Sequence, residues 1–180
     1  MMGAASPSPV HPYVQLAIEA IDAYVRDFRV ITPPVGLFAR HPALQGRAGV
    51  FVSLKKRGEL RGCIGTIEPA HENLAVEIIE NAISAATKDP RFRPVEEEEL
   101  PQLVISVDIL SAPERAACPE DLDVQRYGLI VKAGTRRGLL LPDIEGIASV
   151  HEQMTVARKK GGIGEEEPAE LYRFTVERYF

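Results

Sequence analysis

A chain of 180 residues with 45 % apolar and 26 % charged residues has the make-up of an ordinary globular domain, which excludes the disordered and membrane classes. Its 26 acidic and 21 basic residues leave a net charge of -5, so no global positive field gathers nucleic acid or an anionic membrane. Two cysteines, Cys63 and Cys118, cannot build the disulfide framework of a secreted mini-protein and fit a reducing, cytoplasmic setting.

The opening Ser, Pro and Ala residues lack the positive start and apolar core of a signal peptide, and no 18-residue apolar run follows. The expectation is a loose tail over residues 1–12 ahead of a single domain over residues 13–180. From Tyr13, apolar residues fall at Val14, Ala17, Ile18, Ile21, Val25 and Phe28, one face of a helix that must end before Thr32-Pro33-Pro34. A Pro- and Gly-rich loop runs on through Gly46. Val50, Val52 and Leu54 alternate with Phe51 and Ser53, and Lys55-Lys56-Arg57-Gly58-Glu59 supplies turn chemistry. This predicts a β-hairpin whose return strand begins at Leu60. Gly62 and Gly65 weaken that strand unless backbone or a ligand must come close.

A second helix fits residues 72–87, with Ala75, Ile78, Ile79, Ala82, Ile83 and Ala86 on one stripe, closed by Pro90. The acidic run Glu96 to Glu99 reads as a solvated loop or short turn. The run Leu103 to Leu110 is a strand of central type. The segments Leu129 to Lys132 and Gly138 to Leu141 flank a turn and predict a second hairpin. A further helix over residues 147–160 should stop at Gly161-Gly162, and the run Leu171 to Glu177 alternates like one half-buried strand. The basic clusters Lys55-Lys56-Arg57 and Arg136-Arg137 read as solvated hairpin tips. The sum is an α+β fold, a mostly antiparallel sheet with helices packed on it.

Chemistry concentrates on the return strand. Residues two apart share a side of a strand, so Arg61 and Cys63 are expected on one face, where the guanidinium could favour a thiolate or bind an anion. Against this stands the plainer reading of Cys63 as a small buried residue and Arg61 as a surface cation. His71, at the start of the second helix, is the candidate general base, with a capping role as its alternative. Asp89-Pro90-Arg91-Phe92 offers an acid, a base and an aromatic within one turn, either as a structural joint or with Arg91 holding an anion. His11, His41, His71 and His151 form no metal-ligand spacing, and no hydrolase or nucleotide-binding signature is present.

Leu60-Arg61-Gly62-Cys63-Ile64-Gly65-Thr66, then Asn81-Ala82, Asp89-Pro90-Arg91-Phe92 with Pro94-Val95, Ser106-Val107 with Leu110-Ser111 and Pro113-Glu114, and Gly138-Leu139-Leu140-Leu141-Pro142 resemble the AMMECR domain family in order and spacing. The resemblance implies an α+β fold with a larger and a smaller lobe and a signature motif of catalytic or binding importance. It implies a partner set comprising a Memo-type protein and a radical S-adenosylmethionine enzyme. It singles out Arg61, Cys63, Asp89 and Arg91, while Gly62 and Gly65, from their place in the strand alone, are expected to keep backbone accessible to a ligand. The late Lys160-Gly161-Gly162-Ile163, followed by no tryptophan, departs from the family pattern. Two functions stand side by side: a catalytic or cofactor-handling subunit using Cys63, with Arg61 and His71 in support, and a non-catalytic interaction module. A nucleic-acid role is a distant third.

Overall fold

The computed structural model describes residues 10–180, so the tail expected over residues 1–12 lies outside the described residues except for its last three, of which Pro12 is already helical. Helix α1 (Pro12–Asp27) opens on a proline, whose fixed φ and missing N–H suit a first turn. His11 caps it, accepting the Tyr13 amide on Nδ1 at 3.3 Å. The helix ends at Phe28, in left-handed conformation with φ 52°, ahead of the prolines as their chemistry requires. A short helix α2 (Leu37–Arg40) punctuates the loop that follows.

Strands β1 (Gly49–Lys56) and β2 (Glu59–Thr66) form the expected antiparallel hairpin. Its two turn residues, Arg57 and Gly58, have φ of 53° and 83°, the positive values that match the twist of a tight hairpin. Helix α3 (Leu74–Thr87) starts two residues later than the expected 72, because Asn73 turns its side chain onto the Val76 amide and caps it. Alanines at positions 17, 20 and 23 of α1 and at 75, 82, 85 and 86 of α3 are buried, and the two helices pack against each other. Small contact residues let helices lie close.

These helices pack with a sheet of strand order β2-β1-β3-β8, where β3 is Leu103–Leu110 and β8 is Val176–Tyr179. Val50, Val52, Leu54, Ile105 and Val107 bury their side chains in the same core as the helices, while Phe51, Ser53 and Ser106 are only partly buried. Each large apolar side chain so buried contributes about 1.5–3 kcal/mol. This first unit runs to Ile109 and takes in Arg178–Phe180.

The second unit, Leu110–Glu177, holds β4 (Glu114–Ala116), β5 (Gly128–Ala133), β6 (Arg136–Leu140), helix α4 (Val150–Gly161) and β7 (Glu170–Phe174). Its strand order is β4-β7-β5-β6, with antiparallel pairs throughout. A Cβ at Gly138 would stand 1.7 Å from the Ala157 carbonyl, so the glycine sets how near α4 lies to β6. Ser149 and Glu152 form a capping box that starts α4 at Val150 instead of Ile147, and Gly162, at φ 63°, ends it where expected. The helices on antiparallel sheets make this an α+β fold.

The closing segment differs from its sequence pattern. One strand over Leu171 to Glu177 was expected, but the chain breaks at Thr175 and supplies a strand to each sheet. Thr175 donates its amide to Ser111 Oγ at 2.9 Å and accepts the Ser111 amide at 3.0 Å, a local exchange that replaces the ladder. Alternation persists across such a break, which is why the pattern hides it. Among the described residues no helix is long and apolar enough to cross a membrane.

His11 stacks on Tyr179 at 4.2 Å between centroids and meets Tyr13 edge-on at 4.6 Å. Burial, then the charge of His41, lowers its pKa below 6.5. Protonation would remove the Nδ1 acceptor and set a cation at a helix amino terminus. Because the folded value is depressed, stability held at neutral pH is lost as pH falls below 6.5. A urea midpoint measured across that range should fall in the wild type and stay level in His11→Asn, whose amide oxygen caps without titrating.

Candidate functional site

The signature strand β2 lies at the edge of its sheet, paired on one side with β1. Cys63 faces Ser53, and the Ser53 hydroxyl donates to Cys63 Sγ at 3.2 Å. The Cys63 amide points away from β1 and donates to Asp89 Oδ2 at 2.9 Å. Asp89, just beyond α3, is 4 % exposed. It also receives the Arg91 amide at 3.1 Å and Arg91 Nε at 2.9 Å on Oδ1, and Arg91 Nη2 at 2.7 Å on Oδ2. At the Cys63 amide a carboxylate thus takes the place a neighbouring strand would otherwise fill. The Arg91 guanidinium and the two amides hold the Asp89 carboxyl far below the ordinary carboxylate range.

Arg61 is placed differently from the expectation that it shares a face with Cys63. The register pairs Leu54 with Gly62 and Lys55 with Leu60, so the ladder steps over Arg61 and makes it a β-bulge. Bulges re-aim side chains, and alternation cannot be carried across one. The guanidinium grips Glu99 with Nε at 3.0 Å and Nη2 at 2.8 Å, and donates to the carbonyls of Arg93 at 3.0 Å and Pro94 at 3.3 Å. Lys56 adds a third contact to Glu99 at 2.8 Å. Arg61, then burial opposing it, then Lys56 set the Glu99 pKa, which falls to about 2. Glu99 therefore belongs to the site, although its acidic run read as solvated. Its spacing from Glu96, an i to i+3 capping pair, was the available signal.

The glycines serve packing. A Cβ on Gly62 would lie 2.2 Å from the Ala85 carbonyl of α3, and one on Gly65 would lie 2.3 Å from the ring of Phe51. The space beside each is filled by the protein itself.

Cys63 is half-buried, and burial pushes its thiol pKa up; the Ser53 hydroxyl and the Arg91 charge pull down, less strongly. The depressed thiol that a nucleophile needs is not what these surroundings produce. His71 is not joined to Cys63 by any hydrogen bond among the described residues. Its amide donates to Glu77 Oε2 at 2.8 Å and its carbonyl accepts Arg47 Nε at 3.1 Å.

Three buried polar residues of the first unit lie outside the sequence-derived set. Glu77, fully buried, takes the Thr66 hydroxyl at 2.5 Å and the Ala70 amide at 2.9 Å, anchoring the loop after β2. Asn81 joins Thr66 at 3.2 Å. Asp108 on β3 is held in both oxygens by Arg178 at 2.7 and 2.8 Å. Polar residues inside an apolar helical stripe or strand were the sign. No group of three or more His, Cys, Asp and Glu is gathered as a metal site among the described residues.

Antiparallel sheets, packed helices and a carboxylate-closed signature strand define an α+β protein of the AMMECR type. The chain belongs to the AMMECR1 family, whose profile matches residues 14–179. It is 54 % identical over 175 residues to a Thermotoga maritima protein, covering 94 % of this chain and 97 % of that one. It is 44 % identical over 168 residues to protein CA_C1420 of Clostridium acetobutylicum, which spans 93 % of this chain but 36 % of that protein. The crystal structure of the uncharacterized protein PH0010 from Pyrococcus horikoshii matches with a TM-score of 0.84 and 35 % identity, over 92 % of this chain and 88 % of that chain.

Gly62→Val should cost about 1–3 kcal/mol in urea unfolding, since α3 must yield to the added side chain. Asp89 and Glu99 have depressed folded values, so their stabilisation is complete above the ordinary 3.8 and 4.5 and is lost as pH falls below them. The double variant Asp89→Asn, Glu99→Gln should start less stable at neutral pH and show a flatter loss on acidification than the wild type.

Proposed function

We propose that this AMMECR1 chain acts as a non-catalytic interaction module that docks a separate protein. The observation that carries this reading is the commitment of its signature residues to internal partners. Arg61 is spent on Glu99, Gly62 on α3, Gly65 on Phe51, and Asp89 on the Cys63 amide, while burial keeps the thiol protonated. The match to a Clostridium acetobutylicum protein of which it covers 36 % supports the reading, because there the same domain occurs within a longer chain. By family resemblance the partners are a Memo-type protein and a radical S-adenosylmethionine enzyme. In such a set the chemistry belongs to them, and the cytoplasm is where this chain meets them.

A second reading, a catalytic or cofactor-handling subunit with Cys63 as nucleophile, has one observation in its favour. The Arg91 charge acts on the half-buried thiol in the direction a thiolate requires. The two are separated by alkylation near neutral pH with Cys63 and Cys118 followed individually. The interaction reading expects Cys63 to react no faster than Cys118, and Cys63→Ser to keep its capture by an immobilised Memo-type protein while Gly62→Val loses it. Faster labelling of Cys63 would transfer the conclusion to the catalytic reading.

A further inference from the structure

Resting on that interaction reading, we propose that the open edge of β2 beyond Asp89, from the Cys63 carbonyl to Gly65, docks an extended acidic segment of a partner protein as an added strand, with Arg91 receiving its carboxylate.

The ladder shows which backbone groups are free. In an antiparallel pair, opposed residues alternate between those that exchange hydrogen bonds and those whose side chains meet while their amides turn outward. Cys63 and Ser53 are of the second kind. Their side chains touch at 3.2 Å, and the Cys63 amide leaves the sheet for Asp89. Gly65 opposes Phe51 two places further on, so its N–H and C=O point outward as well. β2 ends the strand order. Asp89 supplies the acceptor an incoming strand would have given Cys63, and leaves the Cys63 carbonyl and both Gly65 groups without a hydrogen-bond partner among the described residues. An exposed row of this kind is a template for strand addition.

Charge selects the occupant. Arg91 uses Nε and Nη2 on Asp89, which leaves Nη1 uncommitted on a side chain that is 55 % exposed. Its Nη2 sits on Asp89 Oδ2, the same oxygen that takes the Cys63 amide, which places it beside the open edge. Arg93, two residues on, is exposed too. An Asp or Glu side chain on the added strand would meet a guanidinium already oriented by Asp89, at little further ordering cost.

The test uses the full chain and amide hydrogen exchange followed by NMR. In the free protein the Gly65 amide should exchange at least about tenfold faster than those of Ile64 and Thr66, which bond to β1. The probe is a capped peptide of alternating Val and Glu. It should protect the Gly65 amide, and replacing its Glu by Gln should weaken binding by about tenfold, the effect of one charge-assisted contact. Backbone N-methylation of the same peptide should abolish protection. A Gly65 amide already as slow as its neighbours, or no protection at saturating peptide, would overturn the proposal. So would binding indifferent to N-methylation or to the Glu to Gln exchange. Each of these readouts is independent of thiol reactivity. A fast-labelling Cys63 sinks the non-catalytic reading alone, while a Gly65 amide that already exchanges slowly in the free protein sinks the docking edge alone.

Discussion

The bond from the Cys63 amide to the Asp89 carboxylate is the constraint from which the rest of the signature region follows. An edge strand must end its ladder somewhere, and an ionised carboxylate accepts that last amide more strongly than a neutral carbonyl would. Burying the charge is unfavourable unless it is paired, and Arg91, two residues on, pairs it while its own side chain stays in water. For Asp89 to reach the edge, α3 must end beside β2, and for α3 to lie there residue 62 cannot carry a side chain. The Arg61 bulge and its grip on Glu99 then fix the segment after Asp89 to the same strand.

The same packing device recurs in both units. The Phe51 ring lies over Gly65, and in the second unit the Phe174 ring lies over Gly128, its cross-strand partner. In each case an aromatic covers backbone that glycine would otherwise leave bare, which offsets the weakening that glycine brings to a strand. The glycines of the signature thus have a packing reason that requires no ligand.

What the sequence reveals divides along the range of the interactions involved. The first hairpin, the α1 stripe, β3 over Leu103 to Leu110 and the stop at Gly162 all rest on neighbours a few residues apart, and periodicity or turn chemistry exposes them. The ionic partner of Arg61 does not, because Glu99 lies 38 residues away and its acidic run looks like any solvated face. The bulge is hidden as well, since alternation assumes an unbroken ladder. The break at Thr175 preserves the polar and apolar rhythm on both sides, so two strands in two sheets read as one. Cys63 falls on the expected strand, but whether its thiol is charged depends on burial and on Ser53, Arg91, Asp108 and Asp89, none of which spacing alone can position against it.

Asp108 and Arg178 lie 70 residues apart in the chain, and this ordering bears on how the protein is made. β3 leaves the ribosome with a carboxylate destined for burial and no cation yet synthesised to meet it. At roughly 5–20 residues per second the delay is on the order of 4–14 s. During that interval the first sheet lacks β8, and its Asp108 must stay hydrated until the returning strand arrives.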